Sequence, residues 1–257
     1  MFLDMYNDGN IGLYKKYKTI ITKFNVFLKK EKFSINAFTY EVVKNYEKYL
    51  LQKLHNKTNT VTSNMKILSK FVRNMYKENK LDFSLNPFND YKMKFQATTR
   101  TYLTLKDLKK IESYQFIPTN PLYDARDIFV FECYTGIRIA DILTLKWENH
   151  KDDEISFTIR KTKKKHSITL SDVAKRIIEK RRSILDYNKL PVSPQKYIFN
   201  ILKENIETMH PEDIHNAISS ATASINKKLK TIAKKVGINK CISTHIYPHN
   251  YTQKNLL

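Results

Sequence analysis

Three groups of residues in this chain have the types and spacing to handle phosphate. Arg138 follows Thr135-Gly136, at the point where an apolar run (Ile128 to Tyr134) stops and a new amphipathic pattern begins. A guanidinium in the first turn of a helix sits beside unpaired backbone N–H groups, a setting that suits a phosphate oxygen; the alternative is a plain solvated arginine. A second group is the cationic run Lys161-Thr162-Lys163-Lys164-Lys165-His166. The third is Lys66, Lys70, Arg73 and Lys77, which fall on one face of a helix. A stripe of one sign cannot be an internal salt-bridge ladder, so it is either a solvated face or a surface that tracks a phosphate backbone. Net charge favours the second reading. The 257 residues carry +21 with 46 lysines and arginines, and such a field attracts polyanions.

The elements that must hold these groups follow from periodicity. Residues 13–30 carry Leu13, Tyr17, Ile20, Phe24, Phe27 and Leu28 at helical spacing. A second helix is expected over about 39–54, with Val42, Val43, Tyr46, Tyr49, Leu50 and Leu54 inward. Asn59 or Thr60 caps a third, whose buried stripe is Val61, Met65, Leu68, Val72 and Met75. Asn86-Pro87-Phe88 ends this block, and Asp90 to Thr101 reads as a polar, basic linker. Thr104-Leu105-Lys106-Asp107 has the form of a capping box, and 124–134 is apolar enough to be a buried helix. After Trp147 the period changes to two: Ile155, Phe157 and Ile159 alternate with polar residues, and Ile168 and Leu170 resume after the lysine run. This predicts a β-hairpin with a polycationic tip. Ser171 or Asp172 caps the next helix, with Arg176, Arg181 and Arg182 on its outside. Tyr197-Ile198-Phe199 reads as a short buried segment, residues 200–222 show weak periodicity, and Ile225 to Val236 forms a basic amphipathic helix closed by Gly237.

The run Thr135-Gly136-Ile137-Arg138-Ile139-Ala140-Asp141-Ile142-Leu143-Thr144-Leu145-Lys146-Trp147 resembles the first arginine box of the tyrosine recombinases, the phage-integrase family. Residues 11–88 resemble its SAM-like core-binding domain, and Leu229 to Ile238 resembles the helix before its second catalytic box. The resemblance implies a mainly α fold in two domains. A helical SAM-like core-binding domain with its linker spans 1–97. A mixed α/β catalytic domain, mostly helical with a small antiparallel hairpin sheet, spans 102–257. It further implies that Arg138 grips the scissile phosphate. Lys161 is the best match, and Lys163 the next, to the hairpin lysine that protonates the leaving oxygen; an ammonium can release a proton that a guanidinium keeps. Lys163, Lys164 and Lys165 are expected to contact DNA. Asp141 is placed to buttress nearby backbone or charge, or else is a surface acid.

The second box of the family reads here Ile242-Ser243-Thr244-His245-Ile246-Tyr247-Pro248-His249-Asn250-Tyr251. His245 matches the histidine that assists proton transfer. Pro248 stands at the second arginine position and offers no donor; losing one such donor typically costs about 10²–10³ in rate. Tyr247 and Tyr251 lie too close to His245 to act as nucleophile, and the family's later boxes are expected beyond Leu257. A truncated, catalytically inactive member that still binds duplex DNA, alone or beside other recombinase protomers, is the expectation. No cofactor or metal is implied. The two cysteines, Cys133 and Cys241, form no disulfide framework. No signal peptide or membrane-spanning run is evident, which points to a cytoplasmic, nucleoid-associated protein.

Overall fold

The computed structural model describes residues 2–29, 34–98, 102–202 and 206–246. The chain divides into two compact units, residues 1–99 and 100–257, and both are dominated by helices.

The first unit begins with a short helix α1 (Phe2–Asn7) and continues with α2 (Ile11–Leu28), α3 (Tyr40–Lys48) and α4 (Thr58–Glu78). Ile11, Tyr17, Ile20 and Phe24 line the buried side of α2. Leu13, expected inward, is 43% exposed. Thr39 starts α3 by accepting from Val42 N–H at 3.4 Å. A π-helical turn, Tyr49–Lys53, then rotates the following residue, so Leu54 faces solvent instead of the core. The core combines Val43, Tyr46, Leu50, Val61, Met65, Leu68 and Val72 with an aromatic cluster in which Phe24 meets Tyr46 edge-on at 4.9 Å. Each such side chain contributes about 1.5–3 kcal/mol by leaving water.

Asn59 and Thr60 do not cap α4, which starts from Lys57 without a side-chain cap. Asn59 is engaged elsewhere. Its Oδ1 accepts from Gln96 N–H at 2.9 Å and its Nδ2 donates to Gln96 O at 2.8 Å. Thr62 Oγ1 donates to Lys94 O, and Lys94 Nζ pairs with Glu47 at 3.2 Å. The first half of the expected linker therefore lies docked along α4 as part of the unit.

In the second unit the Thr104–Asp107 capping box forms, with both reciprocal bonds at 3.1 Å. It opens α5 (Leu105–Ser113). Helix α6 (Tyr123–Thr135) is buried along its whole length save the partly buried Asp124, because it packs against α5, α8 (Asp172–Tyr187) and α9 (Pro211–Lys235). A single-turn helix α7 (Ile139–Ile142) follows it. Strands β1 (His150–Lys151), β2 (Glu154–Thr158) and β3 (Lys165–Thr169) form one antiparallel sheet in the order β1-β2-β3. In its main ladder Ile155 pairs with Ile168 and Phe157 with His166. Ser171 caps α8, accepting from Ala174 N–H at 3.5 Å. Tyr197 to Phe199 runs beside the Leu145–Trp147 segment, with Ile198 N–H bonded to Leu145 O at 2.8 Å. Among the described residues no helix is long and apolar enough to cross a membrane.

Candidate functional site

The turn that presents Arg138 is built from its neighbours. Thr135 Oγ1 closes back on Phe131 O at 2.7 Å and accepts from Ile137 N–H at 3.3 Å. Gly136 then ends α6 at φ +69°, a left-handed conformation that costs an L side chain energy. Ile137 and Ile139 are both buried, while Arg138 between them is exposed in an extended conformation. Two apolar anchors thus fix the backbone and leave the guanidinium outward. Arg138 is the N-cap of α7 rather than a residue of its first turn, and α7 ends at Ile142; Leu143 and Leu145 are buried beyond it. Among the described residues Arg138 has no ion-pair partner.

Asp141 is only 4% exposed, and its Oδ1 accepts from Arg160 N–H at 2.9 Å. That bond ties α7 to the base of the hairpin turn. Between them lies a cavity of about 440 Å³, with Arg138, Asp141 and His166 as its charged or polar lining and Cys133, Phe157 and Ile159 among its apolar walls. Burial pushes the Cys133 thiol well above the usual range, so it stays a neutral wall residue.

Lys161, Lys163, Lys164 and Lys165 are all exposed. The turn closes through Lys163 N–H to Ile159 O at 2.8 Å and Ile159 N–H to Lys164 O at 2.9 Å, with Lys163 left-handed at φ 57°. None of these lysines lines the Arg138 cavity, and neither does His245. His245 is exposed at the end of a segment whose register is set from α9. Thr244 N–H donates to Asn226 Oδ1 at 2.9 Å, and Ile242 is fully buried. Pro248, with Tyr247, His249 and Tyr251, lies outside the described residues. The structure therefore brings Arg138 and Asp141 together, leaves Lys161 and His245 outside their cavity, and adds His166. Reading the lysine run as one cationic block hid that histidine; the strand alternation that places Ile168 inward also places His166 inward.

In the first unit Lys66, Lys70, Arg73 and Lys77 are exposed along α4 and have no ion-pair partner among the described residues. Lys66 Nζ lies 4.5 Å from the Phe95 ring centre and Lys70 Nζ 5.9 Å from that of Tyr17. Beside the start of the same helix runs a groove of about 520 Å³, where Lys15, Lys16 and Lys23 of α2 face Asn59, Thr60 and Ser63. The sequence reading missed this second basic wall, because the lysines of α2 read only as filler between apolar residues.

Other arginines serve the core. Arg126 is 5% exposed, its Nη1 donates to Glu112 O and Tyr114 O at 3.1 and 3.2 Å, and its Nε lies 2.6 Å from Asp127. Arg181, expected outside α8, is instead drawn inward by Asp124 and Asp127 of α6. Burial, reinforced by the nearby Arg126 and Arg181 charges, holds the Lys180 ammonium below its ordinary pKa, with Asp127 opposing. Among the described residues no three His, Cys, Asp or Glu side chains gather as a metal site.

The chain thus comprises a helical first unit and a mostly helical second unit with a small antiparallel sheet and an exposed arginine at a fixed turn. Residues 2–97 match the phage integrase SAM-like domain and residues 101–252 match the phage integrase family. The chain belongs to the phage integrase family, the tyrosine recombinases of DNA integration and recombination. Solved structures that share its fold include three lambda integrase complexes. A lambda integrase dimer on a COC′ core site is 14% identical with a TM-score of 0.59, over 96% of this chain and 65% of that one. A shorter lambda integrase dimer on the same kind of site is 17% identical with a TM-score of 0.57, over 87% and 77%. A lambda integrase tetramer on a Holliday junction is 14% identical with a TM-score of 0.55, over 100% and 80%. No curated protein matches the sequence.

Proposed function

We propose that this chain binds duplex DNA through both units and does not cleave it unaided. The carrying observation is Arg138: an exposed guanidinium on an anchored turn, with no anionic partner among the described residues. In this reading Arg138 holds a scissile-type phosphate, Asp141 positions the hairpin through Arg160 N–H, and Lys161 or Lys163 reaches the DNA when the tip closes on it. His245 completes the phosphate contacts. Lys66, Lys70, Arg73 and Lys77 track the backbone from the first unit, and Lys164 and Lys165 add to the tip. The lambda integrases that share the fold are seen on a core site and on a Holliday junction, which supports duplex DNA, and other recombinase protomers on it, as partners. A cytoplasmic, nucleoid-bound location goes with that partner.

Catalytic silence rests on Pro248. Two arginines in this chemistry neutralise the nonbridging oxygens as charge builds, and proline supplies neither charge nor donor. The same substitution favours a second role, in which the chain occupies sites or joins assemblies of an active recombinase without turning over. Both parts are open to measurement with the purified chain. Binding to a short duplex should weaken steeply with salt, as contacts to several phosphates require; binding indifferent to salt would sink the DNA reading. Incubation with a nicked duplex should give no covalent protein–DNA product, and a band surviving denaturation would overturn the silence.

A further inference from the structure

Strand alternation in the hairpin is strict except at one place. Ile155 and Phe157 of β2 and Ile168 of β3 turn toward the interior, while Glu154, Ser156, Lys165, Ser167 and Thr169 are exposed. The remaining inward position, nearest the tip, holds His166. An apolar residue there would complete the face. The imidazole is half-buried and stands edge-on to its cross-strand partner Phe157, with ring centres 5.8 Å apart and planes at 86°. Among the described residues no hydrogen bond reaches its ring nitrogens. Its ring lines the same cavity as Arg138 and Asp141, and Asp141 Oδ1 is already occupied by Arg160 N–H.

We propose that His166 is a further phosphate-contacting residue of the Arg138 site, donating a ring N–H to a nonbridging oxygen of a DNA phosphate held by Arg138. The inference rests on the reading of Arg138 given above. The geometry explains both oddities of the residue. Packing against Phe157 holds the ring, and among the described residues no hydrogen bond takes either ring nitrogen, so its donors are open to a ligand. His166 and Arg138 line the same cavity, so one phosphate there can be met by groups that sit on different elements, β3 and the α6–α7 turn. Neutral or protonated, the imidazole retains at least one N–H donor. A donor to a charged oxygen is among the stronger hydrogen bonds.

The test uses the full chain and a fluorescent short duplex, comparing wild type, His166→Phe, His166→Gln, His166→Arg and Arg138→Ala for affinity and melting temperature. Phenylalanine keeps a ring against Phe157 and removes the donors; it should bind DNA about tenfold more weakly while melting no lower than wild type. Glutamine, a neutral donor, should recover part of the loss, and arginine should bind at least as tightly as wild type. Should His166→Phe fail to fold, the glutamine and arginine variants against Arg138→Ala still rank donor strength at the position. If Arg138→Ala weakens binding and His166→Phe does not, His166 only packs, and this inference falls while the Arg138 reading stands. If neither substitution changes affinity, DNA does not enter the cavity, and both fall together.

Discussion

Helix α6 has an arginine near each end, and the two are treated in opposite ways. Arg126, in the first turns, is buried, bonded to two carbonyls of the α5 terminus, paired with Asp127, and lies over the rings of Phe116 and Tyr123 at 6.0 and 5.8 Å. Arg138, just past the other end, is exposed and unpaired among the described residues. A buried guanidinium must have its partners inside the fold, since leaving one uncompensated costs several kcal/mol. One that meets no partner inside is available to an outside anion. Charge counted from composition cannot separate the two kinds; burial and pairing do.

The largest effect that would test this contrast is on stability. Replacing Arg126 by Met leaves Asp127 sharing only Arg181, and should cost about 3–5 kcal/mol in urea unfolding of the full chain. A loss below about 1 kcal/mol would erase the distinction. Arg138→Ala should do the reverse, leaving unfolding within about 0.5 kcal/mol of wild type while lowering duplex affinity about tenfold. Lys240 is an intermediate case, part-exposed and 2.7 Å from Asp107. Burial alone would raise the Asp107 pKa, but the hydrogen bonds from Lys240 and Thr104 outweigh it and hold the carboxyl at about 2, against an ordinary 3.8. Because the folded-state pKa is depressed, this contribution is complete above about pH 4 and is lost as pH falls toward 2. Lys240→Met should flatten that acid limb in a pH series of melts and cost about 1 kcal/mol at neutral pH. Smallest is Lys163→Gly. Relief of a left-handed lysine at about 1–2 kcal/mol is offset by glycine's unfolded-state freedom, for a net gain of about 0.5 kcal/mol. DNA affinity should fall only slightly, and a large fall would mark Lys163 rather than Lys161 as the reaching lysine.

The fold was legible where periodicity met burial. Residues 124–134 read as a buried helix because every turn of α6 faces another element. The hairpin read correctly because period-two alternation has no helical counterpart. Helix α9 was only half visible. Ile225, Leu229, Ile232 and Ala233 announce its second half, but its first half packs only partly buried Ile214, Ala217, Ile218 and Ala221, among serines and threonines that signal loops. The start is marked by His210, whose Nδ1 accepts from Glu212 N–H at 3.3 Å, with Pro211 at the first helical position; a histidine cap is a weak sequence signal. Asn59 misled for a related reason. Its side chain has a capping residue's chemistry, but the docked Gln96 segment takes it, and a contact so distant in sequence leaves no local trace. Arg181 was placed outside because its spacing is that of a surface residue, and only the position of α6 shows two carboxylates waiting for it.

The sheet register has a consequence for how such a chain can vary over evolutionary time. Between Glu154 and Thr158, and between Lys165 and Thr169, each residue is assigned to one side by its cross-strand partner. Gaining or losing a single residue within either stretch would exchange the two sides, exposing Ile168 and turning Lys165 inward. Beyond Arg160, whose N–H is held by Asp141, the exposed tip from Lys161 to Lys164 has no cross-strand partner in the ladder and carries no such assignment. Length and composition can drift at the tip, while the paired stem and Arg160, which carries the Asp141 contact, stay fixed. One short loop is thereby free to diversify without disturbing the domain that carries it.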